Sequence, residues 1–82
     1  MTRRVLVADD EPSIVVSLEF LMRQNGFDVR VVRNGEEALA AVAEFRPHLV
    51  LLDVMMPLKN GYEVAQLIRE NPMWRSIKIV ML

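Results

Sequence analysis

Apolar and polar positions follow two different periods along this chain, and the switches between them mark out its elements. Val5, Leu6, Val7 and Ala8 make a short apolar run that stops at Asp9, the pattern of a buried strand. Pro12 sits where a first helical turn tolerates it, and Ile14, Val15, Leu18, Leu21 and Met22 recur at helical spacing until Gly26. Val29, Val31 and Val32 are interleaved with Asp28 and Arg30, so this second strand has one less buried face and is expected at a sheet edge. Asn34, three residues before Glu37, resembles a capping box. It opens a helix with Ala38, Leu39, Val42 and Phe45 on its apolar side, ending before Pro47.

The next run, LVLLD from Leu49 to Asp53, is unbroken, as expected for the innermost strand of a parallel sheet covered on both faces. A loop with Pro57, Asn60 and Gly61 leads to a third helix carrying Val64, Leu67 and Ile68, which Pro72 ends. Ile77 to Leu82 reads as a fourth strand. The order βαβαβαβ specifies an α/β fold with an open parallel sheet and helices on both faces. Residue 82 falls within an apolar run, and three helices cannot cover both faces of four strands equally, so residues 1–82 are expected to be the N-terminal part of a single domain.

Composition narrows the class without naming it. At 82 residues and 52% hydrophobic, the chain is one small domain, burying somewhat over ~60% of its unfolded surface. A net charge of −1 with no basic block gives no sign of nucleic acid or an anionic membrane as partner. The absence of cysteine excludes a disulfide scaffold and thiolate metal sites. The apolar run from Val5 is far too short for a signal peptide or a membrane span. A cytoplasmic location is therefore expected.

The acids carry the chemistry. In an open α/β sheet, ligands bind at the carboxyl ends of the strands, where strand order reverses. Asp9 and Asp10 close the first strand and Asp53 the third; if those strands are neighbours, three carboxylates converge. Three anions roughly 6 Å apart repel by on the order of 2 to 3 kcal/mol per pair at an effective dielectric near 20. A hard divalent cation is the natural compensation, and Mg²⁺ suits a few carboxylates, a carbonyl and waters. Such a cation draws phosphate oxygens, and a carboxylate beside it can act as nucleophile. Asp53, alone at the tip of the central strand, is the nucleophile candidate, with Asp9 and Asp10 as the metal platform.

The runs VLVADDEPSI and LVLLDVMMPLKNGYE, in this order and spacing, resemble the receiver domain of two-component response regulators. The resemblance covers the whole chain. It implies a flavodoxin-like (CheY-like) sheet of strand order 2-1-3-4, the last βα elements of the family's domain lying beyond residue 82. It implies that Asp53 accepts a phosphoryl group from a sensor histidine kinase or a phosphotransfer protein. It also implies Mg²⁺ held by Asp10, Asp53 and the main-chain carbonyl of Met55, with Asp9 helping directly or through water. A Ser or Thr beyond the fourth strand and a Lys ending the fifth, which the family uses on the phosphoryl group, have no counterpart here. Lys59 and Lys78 are not substitutes by position, so phosphotransfer and switching by these residues alone are expected to be impaired.

Plainer roles compete at several positions. The three consecutive acids could simply favour a helix start near Pro12, and that is the reading for Glu11. Met55 and Met56 side chains read as gap fillers, Gly61 as a turn residue and Trp74 as a packing residue. His48 begins the third strand, remote from the acids. Two other functions stay open beside the phosphoacceptor. One is a non-catalytic assembly unit that pairs the exposed fourth-strand edge, as a homo-oligomer or by swapping segments. The other is a Mg²⁺-dependent aspartyl-phosphate phosphohydrolase, a class that usually places a second acid where Met55 stands.

Overall fold

A computed structural model describes residues 2–82. Its elements alternate as the periodicity predicts: β1 (Arg4–Ala8), α1 (Pro12–Gln24), β2 (Asp28–Val32), α2 (Gly35–Phe45), β3 (Leu49–Leu52), α3 (Gly61–Glu70), a 3-10 turn (Pro72–Trp74) and β4 (Lys78–Met81). The four strands are all parallel, in the order β2-β1-β3-β4. β2 is thus an edge strand as its alternation suggested, and β1 and β3 form the buried centre. Asp53 lies one residue past β3, but its N–H still donates to the Ala8 carbonyl at 2.8 Å, which extends the ladder to the site.

The pleat divides the core into two. Leu6 and Ala8 of β1 and Val50 and Leu52 of β3 pack with Ala38 and Val42 of α2 and Val64 and Ile68 of α3. Val5, Val7, Val29 and Leu51 point the other way, toward Leu18 and Met22 of α1. Fully buried side chains of this size stabilise by about 1.5–3 kcal/mol each relative to exposure, and Leu6, Leu52 and Ile68 are the largest. The second face is thinner. Val15 is the one buried residue of α1, and Val80, which pairs in register with Leu51, is 47% exposed. The unequal cover expected from three helices is therefore present.

The helix starts correct one expectation. Asn34 does cap α2, its side chain accepting the Glu37 N–H at 2.8 Å. The reciprocal arm goes elsewhere, because the Glu37 carboxylate accepts from the Arg33 N–H rather than from that of Asn34. The complete capping box is at α3, where Asn60 and Glu63 satisfy each other's main-chain N–H groups.

Candidate functional site

Because the strands are parallel, Asp9, Asp10 and Asp53 all emerge at one rim of the sheet. Adjacent placement of β1 and β3, in register from Val5 opposite Leu49 to Ala8 opposite Leu52, sets the first two acids beside the third. One carboxylate oxygen from each lies within 4.8 Å of the others. Asp9 is buried, Asp53 half-buried and Asp10 exposed, so the cluster opens to solvent from one side.

Asp9 and Asp53 are held differently. Asp9 is anchored from both ends: its N–H donates to the Val32 carbonyl at 3.1 Å, and its Oδ1 accepts the Glu11 N–H at 2.9 Å. Burial pushes the Asp9 carboxyl above its ordinary value of 3.8, against the downward pull of the Glu11 N–H. The charges of Asp53 and Asp10 push it further in the same direction, as does a hydrogen bond with Asp53. Asp53 Oδ1 accepts the Met55 N–H at 3.3 Å, which fixes that oxygen. The Met55 side chain is 77% exposed, whereas Met56 is buried in the larger core. Gap filling therefore describes Met56 and not Met55.

This donor set fits a hard cation. It offers only oxygen ligands, it concentrates negative charge on a partly dry rim, and its most buried member is strained toward protonation. No helix among the described residues is long and apolar enough to cross a membrane.

Two glycines fix the loop between Asp53 and α3, and sequence reasoning missed the role of both. Gly61 does not occupy a left-handed conformation, so the turn role expected for it is not the reason glycine stands there. Its N–H donates to the Val54 carbonyl at 2.9 Å, and a Cβ would fall 2.9 Å from the Asp53 carbonyl carbon and closer still to the carbonyl oxygen. The helix start thus presses on the backbone of Asp53 itself. Gly35, at the start of α2, meets the same loop: a Cβ there would fall 2.7 Å from the Lys59 carbonyl carbon, and its N–H donates to the Pro57 carbonyl at 3.3 Å. Lys59 is held in this loop, while Lys78 opens β4 at the opposite end of the sheet.

An open parallel sheet of order 2-1-3-4, with three carboxylates at the point where strand order reverses, defines a flavodoxin-like α/β protein with an acidic site. Within that class the family is specific: the model for the response regulator receiver domain matches residues 5–82, and the chain belongs to this family. It is 45% identical over all 82 residues to the DNA-binding response regulator MtrA of Mycolicibacterium smegmatis, and spans 35% of that relative's length. Among solved structures, the chemotaxis response regulator CheY4 of Vibrio cholerae superimposes with a TM-score of 0.93 at 28% identity, over 99% of this chain and 68% of that one. The receiver domain of sensor histidine kinase PA1611 from Pseudomonas aeruginosa, which has a magnesium ion coordinated in its active-site cleft, gives 0.91 at 25% identity, over 99% and 66%.

Proposed function

We propose that this chain is the phosphoacceptor of a two-component phosphorelay, with Asp53 as the residue that takes the phosphoryl group. The observation that supports it most is the half-buried Asp53 carboxylate at the strand tip, with one oxygen tied to the Met55 N–H and with Asp9 and Asp10 within 4.8 Å. Asp10, Asp53 and the Met55 main-chain carbonyl would hold Mg²⁺, with Asp9 joining directly or through water. When bound, the cation neutralises the anions and polarises the phosphoryl oxygens.

In the transfer, an Asp53 Oδ forms the new P–O bond in line while the bond from phosphorus to a donor histidine nitrogen breaks. The departing imidazole keeps the electron pair and gains a proton. A sensor histidine kinase or a phosphotransfer protein would supply that histidine, in the cytoplasm. A small acyl phosphate can serve as donor in its place, which makes the step self-catalysed and slow.

The test is mass spectrometry after incubation with Mg²⁺ and acetyl phosphate. One added phosphoryl is expected on the wild type, and none on Asp53→Asn or in the presence of EDTA. A label that persists in Asp53→Asn sinks the assignment, and continuous release of inorganic phosphate at catalytic rates favours the phosphohydrolase.

A second reading concerns assembly. Val80 and Met81, exposed on the outermost strand among the described residues, favour pairing with a second copy of the chain.

A further inference from the structure

At the rim opposite the carboxylates, a pocket of about 270 Å³ opens between the end of α2, the start of β1 and β3, and the turn before β4. Its polar lining comes from Arg4, Arg46, His48 and Ser76, and Trp74 forms part of its apolar wall. No carboxylate lines it.

The cations here are not spent on acids. Arg4 is half-buried, and its Nε donates to the Phe45 and Arg46 carbonyls, at 2.8 Å each. That bond caps the end of α2 from a neighbouring strand. It uses one of the five N–H donors of the guanidinium and leaves the Nη edge uncommitted. The ion pairs found among the described residues join Arg23 to Glu19 and Arg30 to Glu44; neither Arg4 nor Arg46 takes part. His48 adds a donor. Its Nδ1 accepts the Arg4 N–H at 3.0 Å, so in the neutral ring the proton sits on Nε2. Guanidinium donors that meet no carboxylate among the described residues are free to take an anion that enters the pocket.

Guanidinium and imidazole donors sharing one lining with an indole and aliphatic side chains select a small anion with an apolar body. The geometry points to this pocket as a binding site for a small organic phosphate or carboxylate, separate from the aspartate cluster. The anionic group faces Arg4 and Arg46, and the apolar body lies toward Trp74.

Trp74 is the only tryptophan in the chain, so its fluorescence reports on the pocket directly. The full chain is titrated with phenyl phosphate, benzoate and inorganic phosphate, each against KCl at matched ionic strength. Phenyl phosphate or benzoate is expected to give a saturable change, with half-saturation about tenfold below that of inorganic phosphate because only they fill the apolar part. Which of the two binds more tightly decides between phosphate and carboxylate. Arg46→Asn removes one guanidinium while suiting the left-handed backbone at this position (φ 52°). It is expected to weaken binding about tenfold or more, the loss of one charge-assisted hydrogen bond.

Asp53→Asn is expected to bind unchanged, which keeps this site distinct from phosphoacceptance. A response no different from KCl overturns the proposal. So does saturable binding that Arg46→Asn leaves intact while its urea midpoint matches the wild type. If Arg46→Asn unfolds, protection of Arg46 from a dicarbonyl reagent by phenyl phosphate gives the same decision, and absence of protection counts against the site.

Discussion

Replacing Gly61 with alanine should separate a packing role from a conformational one. The new Cβ would lie 2.9 Å from both the Asp53 carbonyl carbon and the Val54 Cα, whereas carbon atoms rest comfortably at about 3.5–4.0 Å. Relief requires the start of α3 to move outward by about 1 Å, because the obstruction is backbone and cannot rotate away. Overpacking of this kind costs about 1–3 kcal/mol. The same movement stretches the Gly61 N–H bond to Val54, worth about 1 kcal/mol more. A domain of this length has about 4–12 kcal/mol in total, so Gly61→Ala should lose a large share of its stability. With a urea slope near 1 kcal/mol/M for so small a protein, the midpoint should fall by about 2 M or more.

Gly26→Ala is the control. Gly26 is left-handed at φ 85° and a Cβ there meets nothing within 4 Å, so the cost is backbone strain alone, about 1 kcal/mol. The two variants should also differ in their response to Mg²⁺. Saturating the site to ten times its dissociation constant should raise the stability of wild type and Gly26→Ala by about 1.4 kcal/mol. Gly61→Ala should gain much less, since its strain falls on the Asp53 backbone. Equal midpoint shifts in the two variants, together with an intact Mg²⁺ response in Gly61→Ala, would refute the reasoning.

Asp9 makes stability depend on pH. Its carboxyl is raised in the folded state, so the fold binds the proton more tightly than the unfolded chain, and the ionised form is the destabilising one. In EDTA, stability should therefore increase as pH falls from the raised folded value toward the ordinary value of 3.8. Asp9→Asn, which keeps an oxygen for the Glu11 N–H, should flatten this part of the profile and raise the urea midpoint at pH 7; an unchanged profile would contradict the assigned cause. For the assembly reading, sedimentation should show mass rising with concentration, and Val80→Lys should abolish the rise. A monomer at every concentration would dispose of it.

What could be read from the sequence was whatever depends on near neighbours. The βαβ alternation, the edge position of β2 and the joint appearance of Asp9, Asp10 and Asp53 follow from periodicity and from the topology of parallel sheets. The cap at Asn60 had the same local signature as that at Asn34, and only the path of Glu37 to Arg33 distinguishes them. Gly61 and Gly35 could not be explained in advance, because the atoms that exclude a side chain come from a different segment in each case. The cationic pocket was invisible for a related reason. Arg4, Arg46 and His48 are separated by up to forty-odd positions, so a search for basic blocks passes over them.

The common direction of the four strands also gives the molecule an electrical polarity that its net charge of −1 conceals. Helices run back against the strands, so Glu36, Glu37 and Glu63 at helix starts join the aspartates at one end, where together they outnumber Arg33 and Lys59. Arg3, Arg4, Arg46, Arg75 and Lys78 outnumber Asp28, Glu44 and Glu70 at the other. Such a body has almost no pull on a distant charged partner but feels a turning force once within about a Debye length, ~8 Å at physiological salt. A basic partner surface would meet the aspartates already facing it. Raising the ionic strength should therefore slow productive encounter by spoiling orientation more than by weakening attraction.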